Sequence, residues 1–156
     1  MISAQMIEFL QKPLAMNAAS RDEELQAYIV RALGMVRVMD GETIGFYTPR
    51  SGAEKMLNNC ANNKRVALVV CDIPTFETYQ FKGEFIAARE CTAEEQASVD
   101  TYLARFREIA IQIGYPEDIL SNWRFFDSKP CIDVRFKVEE IFFQTPGPNT
   151  GNAVAG

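Results

Sequence analysis

Histidine is absent from this 156-residue chain. Without an imidazole, a His-dependent catalytic triad, a His-ligated zinc or haem iron, and imidazole general acid–base chemistry are excluded for the chain acting alone. Cysteine is sparse. Cys60, Cys71, Cys91 and Cys131 form no CxxC pair, so neither a zinc ribbon nor a thioredoxin-like redox motif is indicated, and reduced, partly buried thiols are expected. Cationic charge is not in excess either: 16 Lys+Arg stand against 21 Asp+Glu, a net charge of -5, which leaves no general electrostatic footprint for nucleic acid or an anionic membrane. An anionic ligand would need a local cationic pocket. Met1 to Leu14 lack the basic start and long apolar run of a signal peptide, and no later run is long enough to span a bilayer, so cytoplasmic residence is the expectation.

What is present is ordinary globular material. Hydrophobic residues make up 47% and charged residues 24%, and the length suits one domain with a single core. Met6, Ile7 and Leu10 sit at helical spacing in a short opening helix that Pro13 should end. Leu14 to Ala19 reads as a strand, and Arg21-Asp22-Glu23-Glu24 as an exposed turn. Ala27 to Met39 is rich in strand formers, with Gly34 a plausible bulge, and Asp40-Gly41 turns the chain into a returning strand from Thr43 to Thr48. Ser51 and Glu54 match a capping box for a helix reaching about Ala61, and the apolar run of Arg65 to Asp72 reads as a strand buried on both faces. From Phe76 to Arg89, Glu77, Tyr79, Phe81, Gly83 and Phe85 share one strand face, and Thr78, Gln80 and Lys82 form an unusually polar opposite face.

Thr92 and Glu95 form a second capping box. It opens the longest helix, on which Val99, Leu103, Phe106, Ala110 and Ile113 recur at steps of three and four before Gly114. Pro116, Glu117 and Asp118 start a shorter helix. A last strand runs from Ile132 to Phe143 with a bulge near Glu139-Glu140, and residues 145–156 are rich in Pro, Gly, Asn and Ala, so a flexible tail is expected after a domain spanning 1–144. Six strands, mostly antiparallel and hairpin-linked, with one long helix before the last, predict a β-barrel with appended helices. A doubly wound sheet would demand a helix between successive strands.

The best local candidate for a site is the stretch from Tyr47 to Lys55, a strand end running into a helix start. Free backbone N–H groups there favour an anion, and Arg50, Lys55 and the hydroxyls of Thr48 and Ser51 add donors, so a phosphate monoester would fit. On spacing alone the plainer reading is preferred, in which Ser51 and Glu54 cap each other and the cations are solvated. Arg31 and Arg37, six residues apart on one strand, point the same way if Gly34 does not shift the phase; they suit either an anionic ligand or carboxylates on neighbouring strands. Thr78 and Gln80 could hydrogen-bond a heteroaromatic ring, although polar residues on an outer strand face are the usual state. Trp123, Phe125 and Phe126 suit covering a planar ligand as well as closing a core or a subunit interface, the commoner role of such groups. Glu139 and Glu140 are adjacent on a strand and make an improbable catalytic pair.

The linked pattern Gly-Phe-Tyr-Thr (45 to 48), Ser51, Glu54-Lys55-Met-Leu-Asn-Asn and Asn63-Lys64-Arg65-Val66-Ala67-Leu68 resembles the flavin-binding split-barrel family typified by pyridoxamine 5′-phosphate oxidase. The resemblance covers roughly Leu14 to Phe143. It implies a six-stranded antiparallel Greek-key split β-barrel with flanking helices, and a homodimer with FMN at the subunit interface. It also implies site roles. Lys55 resembles the lysine that binds the FMN phosphate, with Tyr47, Thr48 and Ser51 as the cradle before it. The strand from Arg31 through Met35 and Val36 to Arg37 is similar to the one whose backbone lies along the isoalloxazine ring, and Arg31 resembles the Arg that opens it. Thr78 or Gln80 looks like the polar flavin contact on the strand before a family-type glycine, here Gly83. Two features depart from the oxidase. Its Arg-Lys pair is Glu54-Lys55 here, which sets a carboxylate beside the phosphate position and weakens it unless Arg50 compensates, and the chain lacks the oxidase's C-terminal segment with its substrate-recognising His. The resemblance therefore implies an FMN-dependent oxidoreductase acting on a small organic substrate other than pyridoxamine phosphate, with NADH or NADPH as possible donor. A flavin store or sensor without turnover, or a haem- or deazaflavin-binding member of the same fold, are the alternatives.

Overall fold

Strands that alternate between inward apolar and outward side chains dominate a computed structural model of the chain, which describes residues 1–122 and 129–154. The elements are α1 (Ala4–Leu10), β1 (Ala15–Arg21), β2 (Ala27–Val38), β3 (Thr43–Pro49), α2 (Arg50–Asn63), β4 (Arg65–Asp72), β5 (Glu77–Glu90), α3 (Ala93–Gln112), α4 (Glu117–Ser121) and β6 (Cys131–Phe143). All six strands pair antiparallel in the cyclic order β1-β2-β3-β6-β5-β4, with β1 against β4 closing the barrel. The expected antiparallel six-stranded barrel with flanking helices is the observed fold. Trp123, Phe125 and Phe126 lie outside the described residues.

Period-two alternation fills the barrel. Met16, Ala18, Val30, Ala32, Val36, Ile44, Phe46, Leu68, Val70, Phe81, Val134 and Phe136 are buried, while the residues between them on β1 and β4 face outward. Gly34 sits at φ +77° where the β2–β3 register shifts between Leu33 and Arg37, as expected of a bulge. A Cβ there would stand 2.4 Å from Tyr47 Cδ2, so the glycine also makes room for that ring. On β6 the second bulge is Glu139: Lys82 pairs with Glu140 and Gly83 with Val138, leaving Glu139 unopposed. This switches the inward face from Phe136 to Ile141.

The helices cover the barrel unevenly. Below the Thr92–Glu95 capping box, α3 buries Val99, Tyr102, Leu103, Phe106 and Ala110, packs along β2, and donates the Tyr102 hydroxyl to the Leu14 carbonyl at 2.5 Å. Ile113, expected on that stripe, caps the helix and is 40% exposed. Two other expectations are corrected. The Ser51–Glu54 capping box does not form: α2 begins two residues earlier, with Pro49 rather than Ser51 as N-cap and no side-chain cap bond. The Arg50 N–H donates instead to the Pro130 carbonyl at 2.9 Å, and this tie to the approach of β6 sets where the helix starts. Likewise β4 is fully buried on one face only: its outer side chains Ala67, Val69 and Cys71 are half-buried. Residues after β6 turn back along it: Gly151 N–H bonds the Phe143 carbonyl at 2.7 Å, Val154 N–H bonds the Ile141 carbonyl at 2.8 Å, and Val154 packs on the core. Among the described residues, no helix is long and apolar enough to cross a membrane.

Candidate functional site

The expected cradle residues divide between two tasks in the fold. Thr48 is fully buried, and its hydroxyl donates to the Arg31 carbonyl at 2.9 Å, tying β3 to β2. Tyr47 is buried on the outer side of β3, and burial raises its phenol above the usual range. The Arg37 guanidinium lies 4.2 Å from the Tyr47 ring centroid. Arg50 is exposed and ion-paired with Glu90 of β5.

Ser51 and Lys55 remain open to a ligand. Both are exposed, and residues four apart on a helix lie on one face, so hydroxyl and ammonium project together from the first turns of α2. Lys55 Nζ lies 5.5 Å from the Tyr28 ring centroid, and among the described residues no carboxylate is within ion-pairing reach of it. Tyr28 in turn donates its hydroxyl to the Gly52 carbonyl at 3.3 Å. No side chain caps the start of α2, and beyond the Arg50 N–H, which Pro130 takes, its first turn presents amides and the positive end of its dipole. Adjacent helix residues are about 100° apart, so Glu54 leaves from a different face than Lys55.

The second group is a row across the outside of the barrel. Arg31 opposes Asn17, Asn17 opposes Val69, and Val69 opposes Gln80. Arg31 is half-buried, and burial lowers its pKa from the ordinary arginine value. Thr78 donates its hydroxyl to the Phe76 carbonyl at 2.8 Å, and Gln80 Oε1 lies 3.4 Å from Gln144 Nε2. Met35 is half-buried against the core, and Val36 points inward and is buried.

Sequence reading missed a charge cluster under the start of α3. Asp133 is fully buried and receives three arginines: Arg37, Arg89 at 3.1 Å and Arg135 at 2.8 Å. Glu95 grips Arg89 through two bonds of 2.8 and 2.6 Å while accepting the Thr92 N–H at 2.8 Å. For Arg37, the alternative of carboxylate partners is the one found. The signal available in the sequence was Asp133 and Arg135, two apart on β6, but only the strand order brings Arg37 and Arg89 to them. The Arg89 bond, ahead of the Thr92 amide and Arg37, holds the Glu95 carboxyl down to about 2. An unfolded glutamate titrates near about 4.3, so this pair stabilises the fold above that pH and the stabilisation is lost as pH falls toward about 2. In urea titrations across that window, Glu95→Gln should flatten the acid loss of stability. Parallel acid limbs for the two proteins would show that the Arg89 contact is not kept in solution.

A small antiparallel barrel with a lysine-bearing helix start beside an uncovered strand face defines a class of fold and site. Residues 2–128 match the family model of pyridoxamine 5′-phosphate oxidase, and the chain belongs to that family. No curated protein sequence matches it. Among solved structures it is similar to HupZ of Group A Streptococcus, with 19% identity and TM-score 0.53, covering 97% of this chain and 100% of that one. It is also similar to a Clostridium acetobutylicum protein related to general stress protein 26 of B. subtilis, of the pyridoxinephosphate oxidase family, with 13% identity, TM-score 0.51, and coverage of 98% and 97%.

Proposed function

We propose that the chain binds FMN and acts as a flavin-dependent oxidoreductase on a small organic substrate, as a homodimer and with NADH or NADPH as electron donor. The observation that carries the reading is the pairing of Ser51 with Lys55 on one exposed face of an uncapped helix start. An ammonium, a hydroxyl and free amides are the donors that a phosphate monoester requires. Lys55, Ser51 and the first-turn amides of α2 after Arg50 would hold the phosphate, and Arg31, Thr78 and Gln80 would line the ring side. The bound flavin would supply hydride or electron transfer, which explains how a chain without histidine can support redox chemistry. The small, half-buried outer side chains Ala19, Ala67 and Val69, flanked by the 64% exposed Ile29, suit a second copy.

The test is the absorption spectrum of the purified protein, with light scattering for two chains per particle and calorimetric titration with FMN. Lys55→Ala should weaken FMN binding by about 1–3 kcal/mol through loss of a charge-assisted contact, roughly 5- to 150-fold in Kd. Arg50→Ala, which removes the partner of Glu90, should leave it nearly unchanged. Equal FMN affinity in folded Lys55→Ala removes that lysine from the site. Oxidation of NADH or NADPH by the loaded protein separates an oxidoreductase from a flavin store.

A further inference from the structure

Cys91 and Cys131, 40 positions apart in sequence, are neighbours in the fold. Glu90 pairs with Ile132 in the β5–β6 ladder, and one step on, the Cys91 N–H donates to the Cys131 carbonyl at 3.1 Å. Directly opposed antiparallel residues have Cα atoms about 4.5–5.5 Å apart. This lies inside the about 4.4–6.8 Å span of disulfides. Opposed residues also project to the same face, and both side chains meet the same apolar cluster, Cys131 within it and Cys91 packed against it. Both are thiols, Cys131 buried beneath Gln96 of α3, whose Nε2 lies 3.6 Å from its sulfur, and Cys91 half-buried.

We propose that Cys91 and Cys131 form a cross-strand dithiol that closes to a disulfide on exposure to a peroxide. The inference stands on the ladder register and requires no bound flavin. Cys91, the more accessible, attacks as its thiolate; the peroxide O–O bond breaks, leaving Cys91 sulfenic acid and releasing water once the thiol's proton is taken up. The Cys131 thiolate then attacks the Cys91 sulfur, the S–O bond breaks, and hydroxide leaves as a second water with the Cys131 proton. In sum, two thiols and one hydrogen peroxide give one disulfide and two waters. Cys131 also pairs across to Pro49, the N-cap of α2, so the new bond would sit in the seam that sets where that helix starts.

The surroundings make this a slow reaction. Burial, then Cys131, Glu95 and Asp133, push the Cys91 thiol up to about 12, with Arg37 of β2 opposing them. Arg89 of β5 also interacts with this thiol. Thiolate is therefore scarce at neutral pH, and the rate should rise about tenfold per pH unit through the mildly alkaline range. The full-length protein is incubated with hydrogen peroxide, alkylated without reduction, and mapped by mass spectrometry. The expected result is a linked pair of Cys91 and Cys131 peptides, an intact mass lower by two hydrogens, and reversal by dithiothreitol. Cys91→Ser and Cys131→Ser should each abolish the linked species. Cys91 and Cys131 both remaining alkylatable, or Cys91 reaching sulfinic acid with Cys131 unlinked, would overturn the proposal, and wild-type mapping decides it even if neither variant folds.

Discussion

Asp133→Ala is expected to lower the unfolding free energy by about 3–5 kcal/mol, the cost of breaking a buried ion pair from one side. The carboxylate is 0% exposed, and the side chains of Arg37, Arg89 and Arg135 that converge on it are 28%, 44% and 35% exposed. Removing it leaves these guanidinium groups, from β2, β5 and β6, facing one another across a cavity. Glu95 still holds Arg89, and Arg37 at 3.8 Å, so part of the repulsion is offset and the strand ends stay in place. In a chain of this size the loss corresponds to about 6–20 °C in Tm. Asp133→Asn keeps the shape and some of the hydrogen bonds and should cost less, about 1–3 kcal/mol. Chemical denaturation of the three proteins checks the ordering. A loss below about 1 kcal/mol for Asp133→Ala would show that the arginines swing into water and that the carboxylate is not their anchor.

Gly83→Ala is expected to cost about 2–4 kcal/mol, for a steric rather than an electrostatic reason. A Cβ at Gly83 would stand 1.8 Å from the Lys137 carbonyl oxygen, 2.8 Å from its carbon and 3.1 Å from Phe136 Cδ2. The obstacle is backbone, so no rotamer relieves it. β6 must move away from β5, and the register change at Glu139 lies immediately beside it. Gly52→Ala is the matched control. Its Cβ would meet only Val30 Cγ1 at 3.8 Å, and in the helix alanine should stabilise by about 0.5–1 kcal/mol. Opposite shifts in Tm for these two glycines, measured by calorimetry, test the close approach at the bulge; equal shifts would place the effect in the unfolded chain.

Local features could be read from the sequence where local forces decide them. The Thr92–Glu95 box forms because both partners lie within one helical turn. Gly34 and the Glu139 region form bulges because alternation breaks there. The similar pattern at Ser51 and Glu54 is silent because a bond from Arg50 to Pro130, distant in sequence, fixes the helix start instead. The sequence places Arg50 beside Lys55, but its ion pair with Glu90 of β5 is one that no spacing rule reveals. The Asp133 cluster and the Cys91–Cys131 contact were missed for the same reason: both exist only once β5 and β6 are placed in register. The half-buried outer face of β4 is hidden in the sequence because an unbroken apolar run reads alike whether one face of the strand is covered or both.

Closure of the barrel also sets the pace at which the chain reaches its native form. Thr43 pairs with Lys137 and Pro49 with Cys131, so the β3–β6 ladder joins segments more than eighty positions apart. The β1–β4 seam joins Ala15 to Cys71. Hairpins such as β4–β5 collapse quickly, but these distant seams must wait for long loops to close, and topologies of this kind fold on the scale of milliseconds to seconds. Until β6 arrives, β3 and β5 each present a bare edge. Until that last seam closes these edges are open to pairing with other chains, so crowded expression at high temperature should favour inclusion bodies over the mature barrel.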